Sequence, residues 1–163
     1  MIMKTMDELR DVVKRLREPD GCPWDREQTH GSLKPAVIEE AAEVICGINV
    51  YERTGNPDNL KEELGDLLLQ VMMQAQIAEE EGLFTIDEVA QGITEKLIRR
   101  HPHVFGEDKV KVKDSEEVLA NWEKIKAKEK EGREDTNRFL PEAFDEAEAL
   151  IDRARKRKGY KKI

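Results

Sequence analysis

The sequence predicts an all-α protein, on three observations. Apolar residues recur at three- and four-residue spacing through most of the 163 residues, no useful stretch alternates as a strand does, and Gly/Pro breaks fall between the periodic runs. Two of the runs carry clustered carboxylates, Glu39-Glu40-Ala41-Ala42-Glu43 and Glu62-Glu63-Leu64-Gly65-Asp66. Spacing i, i+3 puts Glu40 with Glu43, and Glu63 with Asp66, on one helical face about a turn apart. Two such helices packed antiparallel bring four carboxylates together, and four negative charges in a poorly solvated cleft need a cation between them. Oxygen-only ligands favour Mg²⁺ or Mn²⁺.

Met6, Leu9, Val12, Val13 and Leu16 predict an amphipathic helix over residues 5–17, acidic early and basic late, ended by Pro19-Asp20-Gly21. A loop follows with Cys22-Pro23-Trp24-Asp25, where Trp24 reads as a plug on the side of a helical bundle. Ser32 is placed to cap a second helix, with Pro35 in its first turn and its end near residue 53. Its apolar stripe is Val37, Ala41, Val44, Ile48 and Tyr51; Glu39, Glu40 and Glu43 flank that stripe, so the carboxylates border the core. Thr54-Gly55-Asn56-Pro57 breaks the helix, and Asn56 before Pro57 starts the next.

That third helix, over residues 57–80, carries Leu64, Leu67, Leu68, Leu69, Val71, Met72, Met73 and Ile77 on nearly every side and needs cover all round. The cover expected is a second copy of the chain; a monomeric bundle with this helix at its centre is the alternative. Gly82 closes it, and Thr85-Ile86-Asp87-Glu88 is a capping box for a fourth helix with Val89, Ile93 and Leu97 as its buried face. Lys96 and Arg100 lie four apart on a different face, and the run from Arg99 to Phe105 leaves a cationic corner. A fifth helix starts near Ser115, marked by Val118, Trp122 and Ile125. Residues 128–136 read as a charged linker, and Pro141 opens a last helix with Phe144, Ala147, Leu150, Ile151 and Ala154. The basic run over residues 155–161 reads as a solvated helix end.

Composition narrows the function. Charged residues make up 39% and the formal net charge is -8, which argues for a soluble protein and against affinity for nucleic-acid backbones. Cys22 and Cys46 give neither a disulfide framework nor a zinc spacing, no apolar run reaches membrane-spanning length, and the first residues lack a signal-peptide core. The expectation is a cytoplasmic protein of one domain plus a tail, with residues 1–127 as the domain and residues 128–163 as charged linker, C-terminal helix and basic tail.

A single Glu-x-x-Glu is usually a solvated helix face. Two of them, each beside an apolar stripe, on helices joined by a short turn, form a more specific pattern. With Lys96 and Arg100 able to meet phosphate oxygens, phosphoryl or nucleotidyl chemistry is the leading class. The sequence also resembles the MazG family of all-helical nucleoside triphosphate pyrophosphohydrolases. The resemblance runs over residues 6–125, through Gly21-Cys22-Pro23-Trp24-Asp25, Gln28-Thr29-His30, the two acidic clusters and Arg99-Arg100-His101-Pro102-His103-Val104-Phe105.

The resemblance implies a four-helix core completed by dimerisation, or a dimer of dimers, and Mg²⁺-dependent hydrolysis of nucleoside triphosphates to monophosphate and pyrophosphate. It also implies a house-cleaning role. It makes Glu40, Glu43, Glu63 and Asp66 the metal ligands, and Glu39 the residue for water activation or a second metal. Lys96, Arg100 and Trp122 would meet the nucleotide, with Lys34 and Trp24 as further candidates. Many relatives carry tyrosines where Ala36 and Ala42 stand, which would widen the substrate wall here. Longer relatives hold two such domains, so the chain is expected to be a single-domain version.

Two rivals stand beside this reading. A di-iron carboxylate bundle needs Glu-x-x-His pairs, which His30, His101 and His103 do not form. A dimeric helical regulatory or interaction module with a cation-binding acidic face needs nothing that the sequence lacks.

Overall fold

The computed structural model describes residues 5–106, 111–131 and 136–161. Among them there are helices and no strands: α1 (Met6–Arg17), α2 (Pro23–Glu27), α3 (Lys34–Thr54), α4 (Asp58–Glu80), α5 (Ile86–Arg100), α6 (Pro102–Phe105), α7 (Ser115–Lys130) and α8 (Leu140–Lys158), with a 3-10 turn at Thr136–Phe139. None of the described helices is long and apolar enough to cross a membrane. The chain divides into two compact units, Met1–Ile86 with Ala143–Ile163, and Asp87–Glu142.

In the first unit, α1 begins with a reciprocal cap. The Glu8 amide donates to the Thr5 hydroxyl at 3.3 Å and the Thr5 amide donates to the Glu8 carboxylate at 2.7 Å, which satisfies two of the four amides a helix start leaves unpaired. Val13 of α1 is buried with Leu33, Met72, Met73 and Ile77, and Leu9, Leu68, Leu69 and Ile86 pack around them. The Cys22–Asp25 stretch, expected as a loop, starts the short helix α2, with Pro23 in its first turn. Arg17 anchors it: the buried guanidinium donates to the carbonyls of Asp25 and Gln28 and pairs with Glu80 at 2.8 Å. Trp24 is therefore no plug. It stands 62% exposed on the outer side of α2.

Ser32 does not cap α3 either. Its hydroxyl donates to the Gln28 side chain at 2.7 Å and accepts from the Thr29 amide, closing the turn before the helix, and Leu33 takes the cap position with no side-chain bond. Helix α3 ends at Gly55, whose φ of 74° is a left-handed conformation that glycine adopts without steric cost. The Asn56 side chain then accepts from the Asp58 amide at 2.9 Å and starts α4. The two long helices fold back on each other so closely that a Cβ on Gly47 would stand 2.8 Å from the Cα of Leu60. On α4, Met72, Met73 and Ile77 are buried, but Leu64 and Val71 are 50% and 43% exposed, so the described residues do not cover this helix all round. Helix α8 belongs to the same unit and buries one side chain, Leu150. Phe144, expected on its buried stripe, is exposed.

The second unit is organised by one ion-pair cluster. Glu129 of α7 is gripped by Arg99 and Arg100 of α5, each at 2.6 Å, which holds its carboxyl down at about 2. Helix α7 starts with the Glu117 amide donating to the Asp114 carboxylate and runs to Lys130, through the start of the expected linker. The described residues leave the α5 stripe of Val89, Ile93 and Leu97 uncovered, contrary to the expectation that it is a buried face.

Candidate metal centre

The carboxylates converge because of the hairpin. Spacing i, i+3 stacks Glu40 and Glu43 on α3, and the close approach at Gly47 brings α4 near enough for Glu63 to join them. One carboxylate oxygen from each of Glu40, Glu43 and Glu63 lies within 4.8 Å of the others, all three residues being half-buried. Asp66 contributes to the same field. Burial first, then the charges of Glu43, Asp66, Glu39 and Glu63, raise the Glu40 carboxyl above its usual range. A cluster of hard oxygen donors in which one carboxylate resists ionisation for want of a positive neighbour fits a divalent cation. Glu63 is oriented by Asn59, one turn earlier on α4, whose side-chain amide donates to it at 2.8 Å.

Glu39 is occupied differently. It faces the basic end of α8, where Arg157 donates to both its oxygens and the Lys158 ammonium stands at 2.8 Å. The same ammonium also bonds Glu43. Lys158, foremost by its hydrogen bond, and Arg157 hold the Glu39 carboxyl below its ordinary value, and Glu39 and Glu43 raise that of Lys158. The basic run read as a solvated helix end is thus docked on the acidic face, because carboxylates gathered by the hairpin attract whichever cations lie within reach. Beside the cluster lies a cavity of about 430 Å³, walled by Glu43, Asn59 and Glu63 on one side and by Ile151, Ala154 and Lys158 on the other.

The other candidate residues lie apart from this cavity's wall. Lys34 pairs with Glu146 of α8 at 2.9 Å and lines a smaller cavity of about 280 Å³. Trp24 sits on α2. Lys96, Arg100 and Trp122 belong to the second unit, where Arg100 lies over the Trp122 ring at 5.1 Å, His101 meets that ring edge-on at 5.0 Å, and Lys96 is exposed on α5. Arg157 and Lys158 escaped the sequence reading, since nothing local in a basic helix end reveals a partner 115 or 118 residues away. Asn59 was findable, being four residues before Glu63 on the same face.

Residues 28–105, which contain both acidic clusters, match the MazG nucleotide pyrophosphohydrolase domain. The chain carries a MazG domain. Relatives include YabN of Bacillus subtilis, described as uncharacterized, 54% identical over 74% of this chain and 24% of its own length. The nucleoside triphosphate pyrophosphohydrolase/pyrophosphatase MazG of Thermotoga maritima is 50% identical over 82% of this chain and 48% of its own. The nucleoside triphosphate pyrophosphohydrolase of Escherichia coli K12 is 45% identical over 78% and 47%. The chain thus spans about half the length of the latter two and about a quarter of the first. The MazG match covers α3, α4 and α5 in full, so the acidic hairpin is a property of the MazG domain, while α8 lies outside the matched residues.

Proposed function

We propose that the protein hydrolyses nucleoside triphosphates to monophosphate and pyrophosphate at the α3–α4 acidic cluster, clearing aberrant or surplus nucleotides in the cytoplasm. The observation that carries this reading is the convergence of Glu40, Glu43 and Glu63 inside the residues that match the MazG domain. Those three, with Asp66, hold the cation, which is Mg²⁺ with Mn²⁺ as an alternative, in keeping with an all-carboxylate donor set. When bound, such an ion neutralises phosphate oxygens and makes water more acidic. Asn59 keeps the Glu63 carboxylate turned into the cluster. Glu39 is assigned the proton of the attacking water, a role open to it only once Arg157 and Lys158 let go, because a carboxylate held below its ordinary value is a weak base. Lys96 and Arg100, with Trp122, are assigned to the triphosphate, Arg100 exchanging Glu129 for phosphate oxygens; Lys34 and Trp24 remain further candidates for substrate contact.

The same reading includes a homodimer. Leu64 and Val71 on α4, with Ile45, Ile48 and Tyr51 on α3, are large apolar side chains left exposed by the described residues, and a second copy is the cover that suits them.

The test is a panel of nucleoside triphosphates with Mg²⁺, monitored for pyrophosphate and monophosphate. Release is expected to require the metal and to fall by about a hundred- to a thousandfold in Glu43→Ala and Asp66→Ala with unchanged circular dichroism, the scale of losing a group that acts on the transition state. Full activity in those variants sinks the site. No activity on any nucleotide favours a cation-binding interaction module, and a one-chain mass by light scattering removes the dimer.

A further inference from the structure

Helix α8 meets the acidic cluster with charge and with shape. Glu39, Glu40, Glu43, Glu63 and Asp66 carry five negative charges at neutral pH when all are ionised, and one divalent ion leaves that face strongly anionic. A nucleoside triphosphate, itself a polyanion, is repelled by such a face unless further cations attend it. Among the described residues of the first unit, the cations paired with the cluster are Arg157 and Lys158. The Lys158 ammonium already bonds Glu43, one of the three converging carboxylates, so a cation settling among those carboxylates takes its place there. A lysine carries its charge on a flexible four-carbon stem, and released from Glu43 and Glu39 it stays at the cavity edge with three donors to offer.

The cavity supplies the shape. Its roughly 430 Å³ falls within the range that holds small organic ligands; α8 contributes apolar wall, Ile151 and Ala154, and Lys158 at the polar rim, which Tyr160 just beyond the helix extends. Across it stand Ile38, Ala42 and Cys46 of α3. One end of the cavity is therefore carboxylate and cation, and its sides are apolar, which suits a ligand with a phosphorylated head and a flat apolar body.

We propose that α8 is a wall of the nucleotide site, and that Lys158 and Arg157 move from Glu39 and Glu43 to bind the phosphate oxygens of the substrate. The proposal rests on the pyrophosphohydrolase reading and extends it. The exchange strips Glu39 of its two cations in the same step that places them on the substrate.

The test compares wild type with Lys158→Gln, Arg157→Gln and Lys158→Arg in the full chain. Binding of a non-hydrolysable α,β-imido triphosphate with Mg²⁺ is followed by calorimetry, and Mn²⁺ binding without nucleotide by electron paramagnetic resonance. Each glutamine variant is expected to bind the analogue at least about tenfold more weakly, and to raise KM similarly with kcat within about threefold, each being the loss of one charge-assisted contact. Lys158→Gln is also expected to bind Mn²⁺ more tightly than wild type, the competing ammonium being gone, and Lys158→Arg to bind the analogue nearly as wild type does. Analogue binding in Lys158→Gln as tight as wild type, or tighter, overturns the proposal and makes α8 a plug. If wild type hydrolyses nucleotides and the variants match it, this inference alone fails; if wild type neither binds nor hydrolyses any nucleotide, the parent reading falls with it.

Discussion

Helix α3 serves as the base for two partners that hold to it by different means. Against α4 it packs at close range, with Gly47 set on the backbone of Leu60. Against α8 it stands off: Leu150 is the one side chain of α8 that is buried, the helix is tied by Lys34–Glu146 and by the Arg157 and Lys158 pairs, and cavities of about 430, 280 and 210 Å³ line the seam. The first pairing depends on close backbone fit at Gly47. The second is electrostatic and partly solvated, where a pair of charges contributes little net stability. The difference is that a rigid part presents the carboxylates and an exchangeable part balances their charge.

Overpacking the tight seam gives the largest expected effect. Gly47→Leu has no room against Leu60, and strain of this kind costs about 3 kcal/mol, read as a lower midpoint in denaturant unfolding. A wild-type midpoint would show that the seam can open. Leu150→Ala comes next, at about 2 kcal/mol, the low end for a buried leucine because open volume already lies beside it. The loss is expected to fall on α8 alone: trypsin cleaves sooner at Arg153 and Arg155, while the core midpoint moves little. A matching drop in the core midpoint would make α8 an integral part of the fold.

Salt separates the two seams more gently. From low ionic strength to about 0.5 M, where screening is strong, amide exchange in α8 should quicken and that in α3 and α4 should not. Equal responses would erase the distinction. The smallest effect belongs to the Arg99–Glu129–Arg100 cluster. The Glu129 carboxyl sits at about 2 in the fold, below its ordinary 4.5, so its pairing contributes fully above about 4.5 and is lost as pH falls through about 2. The carbon-13 chemical shift of the Glu129 side-chain carboxyl should therefore hold from neutral pH to about 4 and change only near 2. A change centred near 4.5 would show that the arginines do not hold Glu129 in solution.

Much of the fold was legible because its signals are local. Periodicity with Gly/Pro breaks located every long helix, and Thr5, Asn56 and Asp114 act at the helix starts where such residues belong. Where local rules misled, a distant group had a prior claim. Arg17 recruits the carbonyls of Asp25 and Gln28 and turns an expected loop into α2, and Ser32 spends its hydroxyl within a turn. The apolar stripe of α5 marks a face without saying what covers it. The acidic cluster could be read in advance because both pairs follow helical spacing on adjacent helices. The docking of α8 could not, since attraction between Lys158 and Glu43 depends on where the hairpin and the last helix meet, and no periodicity records that.

The turn at Gly55 has a consequence in time as well as in space. Only residues 55–57 separate α3 from α4, so the carboxylates are assembled by closing one short loop, an event of well under a microsecond in an unfolded chain, and not by gathering distant segments. Contacts so local tend to form on the way up the folding barrier. Mutual repulsion among Glu40, Glu43, Glu63 and Asp66 is then already present at the top of that barrier, and neutralising one of them, as in Glu40→Gln, is expected to quicken folding in stopped-flow measurements while leaving the unfolding rate nearly unchanged. The hairpin that gathers the charges is also the step that they slow.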